Sequence, residues 1–146
     1  MRRMSVEDLA QGIVEGSRGH IARAIMESCA CLLRELVAPI ADHGTPFRAI
    51  RSLGRSARSD LWLQMKADML QTPVERPACT EAASLGAAML AATGTGQFAS
   101  LAEASDAWYA PARSFDPDPE LAAVYDDIFG RYAANCARLY GAPGGR

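Results

Sequence analysis

An α/β fold dominated by helix, with two or three short strands, is what this sequence predicts, and three observations carry the reading. First, Ile21, Ile25, Cys29, Leu32, Leu36 and Ile40 recur at spacings of three and four, the period of one helix face. Second, Phe47 to Leu53 alternates apolar and polar residues and runs into the small-residue turn Gly54-Arg55-Ser56-Ala57-Arg58-Ser59, as a strand entering a turn does. Third, Asp116-Pro117-Asp118-Pro119-Glu120 starts a helix, with Asp118 as N-cap and Pro119 at the first helical position.

Along the chain, residues 1–19 carry Gly12, Gly16 and Gly19 and read as a loose lead-in. A long helix is expected from His20, with Pro39 kinking it or ending it early and Gly44 as a C-terminal stop. After the Phe47–Leu53 strand, Ser59 is expected to cap a helix with Asp60 in its first turn. That helix should turn Leu61, Trp62, Met65 and Met69 inward, and Lys66 and Asp68 outward. Thr72 to Pro77 is bracketed by prolines, which predicts an edge strand. Thr80 is expected to cap a small-residue helix from Glu81 to about Thr93. Gly86 inside it costs about 1 kcal/mol relative to alanine, so close packing against a neighbour is expected to compensate. Ser100 to Ala107 reads as a short helix and Ala110 to Phe115 as irregular. The last helix should bury Leu121, Val124, Ile128, Tyr132 and Leu139, before a flexible tail at residues 141–146.

The whole chain, 146 residues with 49% apolar and 22% charged side chains, has the composition of one globular domain. A net charge of −2 offers no basic field for nucleic acid. No apolar run reaches the roughly 18 residues that a membrane span needs. Glu7 and Asp8 follow Arg2 and Arg3 where a secretory signal would be apolar, so the cytoplasm is the expected compartment. Cys29, Cys31, Cys79 and Cys136 lack metal-ligand spacing and read as structural thiols of a reducing compartment. Cys29 and Cys31 should point about 200° apart on a helix. Lys66 is the only lysine among fifteen basic residues; the arginine excess reads as coding bias.

The strand–turn–helix at Ile50 to Gln64 has a functional shape. Backbone amides at a turn and helix start form an anion site, and a strand end feeding a helix is where α/β sheets hold ligands. An ordinary loop capped by Ser59 would carry the same residues. His20 reads as helix initiation or an exposed residue, and His43 as a group near a helix end. Trp62 reads as a core anchor, and Trp108 and Tyr109 as cover for a core edge. The acidic run at Asp116 to Glu120 reads as helix capping instead of a calcium loop. No catalytic or metal-ligating residue is identified.

Ser52 to Leu70 resembles the nucleotide-side motif of the FGGY carbohydrate kinases, in which a glycine run follows a strand and a Trp-x-Gln-x-x-Ala-Asp helix comes next. Trp62, Gln64, Ala67 and Asp68 stand in place. Pro73-Val74, Glu81 to Ala88, His20 to Glu27 and Phe115 to Glu120 with Tyr125 and Tyr132 are also similar to family segments, in the same order. The resemblance covers roughly residues 9–140. It implies part of an actin-like ATPase fold, a partial ribonuclease-H-like domain, with residues 20–140 as the C-terminal domain truncated on its N-terminal side. It further implies ATP and Mg²⁺ as cofactors, with nucleotide contacts at Gly54, Arg55, Ser56 and Ser59.

In the family the sugar sits largely on the other domain and an aspartate acts as general base. That aspartate precedes everything matched here. Asp60 and Asp68 are therefore read as a helix N-terminal residue and a structural one. The resemblance implies a C-terminal fragment of a sugar or polyol kinase, inactive alone, with an N-terminal kinase half or a second copy as partner. A non-catalytic interaction module and a degenerate kinase remnant are the alternatives. The glycine run departs from the family pattern: Arg55 and Ser56 replace its second and third positions. Arg55 either crowds the close approach of a nucleotide or swings out to pair with a phosphate.

Overall fold

The computed structural model describes residues 18–42 and 48–141. Helix α1 spans Arg18–Asp42 and strand β1 Ile50–Arg51. A 3-10 turn at Arg55–Arg58 leads into helix α2 at Asp60–Leu70, and strand β2 follows at Val74–Pro77. Helices α3, Ala82–Gly94, and α4, Leu101–Trp108, precede strand β3 at Pro111–Phe115. A second 3-10 turn at Pro119–Leu121 opens helix α5, Ala122–Tyr140.

The three strands form one sheet in the order β1-β2-β3. β1 runs parallel to β2, with Ile50 opposite Val74 and Arg51 opposite Glu75. β3 is antiparallel to β2, with Val74 opposite Phe115. A parallel pair needs a crossover connection, and α2 supplies it. Its two faces hold two clusters together. Met65 and Met69 pack with Ala30 and Cys31 of α1 and Tyr125 of α5. Leu63 and Ala67 pack on Val74 and Phe115 of the sheet.

Several expectations are corrected. α1 begins at Arg18, inside the predicted lead-in, and runs on through Pro39 to Asp42. Its predicted core stripe faces outward: Ile25, Cys29, Leu32, Leu36 and Ile40 are exposed, and Ala30 and Cys31 are the buried pair. The helix has a second apolar line, including Met26, and that line meets α2 and α5. The Phe47–Leu53 strand shrinks to Ile50–Arg51, although the Ser52 amide extends the ladder to Glu75 O at 2.8 Å. β2 is central instead of an edge. Its prolines bracket the strand, with Pro73 O accepting from the Ile50 amide and Pro77 beside a register shift, so neither removes a donor from its middle.

Lys66 and Asp68 are buried and Leu61 is exposed, because α2 is packed on both sides. Glu81, not Thr80, is the N-cap of α3. Ala110–Phe115, predicted irregular, contains β3. In the last helix, Ile128 and Tyr132 pack against the core as expected, joined by Phe129 and the buried Tyr125, while Leu121 in the preceding turn and Val124 and Leu139 on α5 are exposed. A methyl group at Gly86 would meet nothing within 4 Å, so the expected close packing is absent among the described residues. Phe47, His43, Gly44, most of the lead-in and residues 142–146 of the tail lie outside the described residues.

Other readings agree with the structure. Ser59 caps α2 by accepting from the Trp62 amide at 3.3 Å. Asp118 accepts from the Glu120 amide at 2.9 Å with Pro119 at the helix start. Trp62 packs against the helical cluster. Cys29 is exposed and Cys31 buried, as their angular separation requires.

Candidate functional site: the loop between β1 and α2

β1 and β2 run in the same direction, so their carboxyl ends lie side by side. Ligands bind beyond such ends in open α/β sheets. Gly54 turns the chain there with φ +78° and ψ −172°, a conformation that side chains with a Cβ rarely adopt. Its amide donates to Thr80 O at 2.8 Å, which fixes the loop to the segment after β2. Arg55–Arg58 then coil into the 3-10 turn, with the Ala57 amide on Gly54 O at 3.1 Å. Ser59 hands the chain to α2, whose first amides have no partner within the helix.

The four residues expected to contact nucleotide are thus brought to one loop. Gly54 is half-buried, and Arg55, Ser56 and Ser59 are exposed. Arg55 forms no ion pair with another described residue. Its neighbours are engaged: Arg58 faces Glu81 at 3.7 Å, and Asp60 takes Arg76 at 2.7 Å and also Arg113. The Asp60 carboxylate is thereby committed to tying α2 to β2 and β3. Asp68 is likewise occupied, accepting from Gln64 Nε2 at 2.8 Å and from the Asp118 amide at 2.9 Å.

Two features beside the loop were not legible as functional. On one face of the sheet, Arg51, Leu53, Cys79, Leu85, Met89 and Tyr109 help line a cavity of about 190 Å³. At its polar side the Tyr109 hydroxyl donates to Glu75 Oε2, and the Arg51 guanidinium lies 3.6 Å from the Tyr109 ring centre. Burial, then the Glu75 bond, raises the Tyr109 hydroxyl pKa. On the other face Lys66, 7% exposed, donates from Nζ to Ser52 Oγ. Burial lowers its pKa. The signal in the sequence was that Lys66 is the lone lysine of an arginine-rich chain.

The profile of the FGGY family of carbohydrate kinases, C-terminal domain, matches residues 6–95. The chain belongs to this family. It is 44% identical over 108 residues to a glycerol kinase of Bordetella pertussis, covering 73% of this chain and 21% of that protein. It is 35% identical over 116 residues to a xylulose kinase of Bacillus subtilis, covering 80% and 23%. Among solved structures, the xylulose kinase of Rhodospirillum rubrum superposes with a TM-score of 0.72 at 32% identity, covering 86% of this chain and 25% of that one. A ligand-bound xylulose kinase of Lactobacillus acidophilus shares the fold with a TM-score of 0.75 at 23% identity, covering 85% and 25%. The chain therefore spans about a fifth to a quarter of the length of these relatives. Its fold is the expected piece of the actin-like ATPase architecture, and none of its described helices is long and apolar enough to cross a membrane.

Proposed function

We propose that this chain is the nucleotide-side, C-terminal part of an ATP-dependent sugar or polyol kinase, and that it transfers no phosphate by itself. The observation that carries this reading is the Gly54–Ser59 loop at the carboxyl ends of the parallel strands, in a chain whose matched segment makes up 21% of a glycerol kinase and 23% of a xylulose kinase. In that role the loop amides, Ser56 and the Ser59 hydroxyl at the start of α2 face the nucleotide phosphates, and the helix end favours their charge. ATP arrives with Mg²⁺, which offsets phosphate charge during transfer. The sugar and the general base belong to the partner, and no residue of this chain is assigned either task.

Arg55 takes the place of a close-approach glycine, so affinity for ATP–Mg²⁺ is weak and Arg55→Gly raises it. Residues 20–140 constitute the domain, and the partner is a kinase half or a second copy, in the cytoplasm. Two surfaces suit that partner. β1 has no strand on its outer edge among the described residues, and an open edge is a template for pairing. The stripe from Ile25 to Ile40 is a contiguous apolar face on α1, and such faces mark association. The same stripe, together with Arg55, favours a second reading as a non-catalytic interaction module.

A phosphotransfer assay tests the proposal. The purified chain should phosphorylate neither glycerol nor xylulose, because loss of positioning and of the general base removes many orders of magnitude in rate. Adding the sugar-side half of a related kinase should restore transfer. Transfer by the chain alone at an ordinary kinase rate would overturn the reading. Association without any restored transfer would leave the interaction module.

A further inference from the structure

Lys66 is an amine with three donors, and among the described residues it hydrogen-bonds to the Ser52 hydroxyl alone. The Trp62 ring centre lies 5.3 Å from Nζ. Among the described residues no carboxylate pairs with it. A buried ammonium without a carboxylate is costly, and apolar residues of similar volume commonly replace such groups without loss of stability. Stability alone therefore does not account for the pair.

Its place in the chain does. Ser52 ends the β1 ladder, its amide fixed to Glu75 O at 2.8 Å, two residues before Gly54. Lys66 lies in the body of α2, six residues beyond Asp60. Between them run the Gly54 turn, the 3-10 turn and the Ser59 cap. Asp60 ties α2 to β2 and β3 through Arg76 and Arg113, while its apolar contacts are non-directional. A hydrogen bond is directional, and this one joins the helix to the strand on the far side of the loop.

We propose that the Ser52–Lys66 hydrogen bond is a positioning tie that fixes α2 against the carboxyl end of β1 and so holds the Gly54–Ser59 loop in one shape. This rests on the reading of that loop as the phosphate-facing element of a kinase. Lys66 acts through the loop and touches no substrate.

The test compares Ser52→Ala, Ser52→Thr and the double variant S52A/K66M with the unaltered chain. Amide hydrogen exchange over Gly54–Ser59, without nucleotide, should quicken at least tenfold in Ser52→Ala and in the double variant, and stay unchanged in Ser52→Thr, which keeps the hydroxyl. The double variant should unfold at or above the temperature of the unaltered chain, which separates a loosened loop from a loosened fold and keeps the test valid if Ser52→Ala fails to fold. Unchanged loop exchange in the double variant overturns the tie, whether or not ATP binds. In an Arg55→Gly background, calorimetry with ATP–Mg²⁺ should show affinity falling at least threefold in the double variant. Faster loop exchange with no ATP binding by any form supports the tie and overturns the nucleotide reading instead.

Discussion

Helices α1 and α2 carry comparable apolar patterns and meet opposite fates. The shorter one, α2, has Leu63, Met65, Lys66, Ala67, Asp68 and Met69 all buried. The longer one, α1, buries Ala30 and Cys31 and shows solvent an apolar line in which Ile25 is 60% and Leu36 61% exposed. The difference lies in their neighbours. α2 is the crossover between two parallel strands and is also covered by α1 and α5, so beyond its exposed first turn even Lys66 and Asp68 are buried. Among the described residues, α1 has partners on one face only. A stripe of helical period states that a face can be buried, while the number of packed layers decides whether it is.

The largest expected contrast comes from truncating one residue in each helix. Leu63→Ala should cost about 3 kcal/mol in urea unfolding, because the site is fully buried between helix and sheet and a cavity remains. Leu36→Ala should stay within about 0.5 kcal/mol. Equal losses would show that the α1 stripe is covered in the chain by itself. Leu36→Glu sharpens the point: sedimentation equilibrium at tens of micromolar should show less association than the unaltered chain, at similar stability. A clean monomer for both proteins would remove the stripe as an interface.

A smaller, pH-dependent effect comes from Lys66. Burial lowers its pKa from 10.5, so between that lowered value and about 10.5 the unfolded chain binds more protons than the folded one. Stability from this group therefore rises with pH across that window. The unaltered chain should gain on Lys66→Met as pH climbs toward 10.5, read by thermal unfolding. Tyr109 and Tyr125, raised first by burial, act in the opposite sense. So does Tyr132, raised to about 12 first by its hydrogen bond with Cys136. All three are common to both proteins and cancel in the difference. A gap independent of pH would mean that Lys66 is not desolvated.

The smallest effect distinguishes the chain from its complex. Gly86→Ala fills open space in α3 and should stabilise the isolated chain by up to about 1 kcal/mol. If a partner packs closely on that helix, the same substitution should weaken association. Stabilisation with undiminished partner binding would exclude α3 from the interface.

Much of the site was legible. The Gly54 turn, the Ser59 cap and the spacing to Trp62, Gln64, Ala67 and Asp68 are local features, and local chemistry dictates them: a glycine for positive φ, a hydroxyl for a free amide. β3 was missed because its first four residues are exposed and show no period-2 burial for alternation to reveal. Its hydrogen bonds to β2 are between distant parts of the chain. The burial of Lys66 was missed because a lysine four residues after Trp62 reads as a solvent-facing charge until the layer above it is known.

By itself, then, the sequence determined the helices, the Ser59 and Asp118 caps, the glycine-led loop and the kinship with carbohydrate kinases, since each depends on a few adjacent residues or on an ordered motif. Only the tertiary structure decided that β2 is central, that α1 turns its other apolar line inward, and that Ser52 and Lys66 meet. These outcomes depend on which elements compete for the same surface, and burial is shared among all of them instead of encoded in any one.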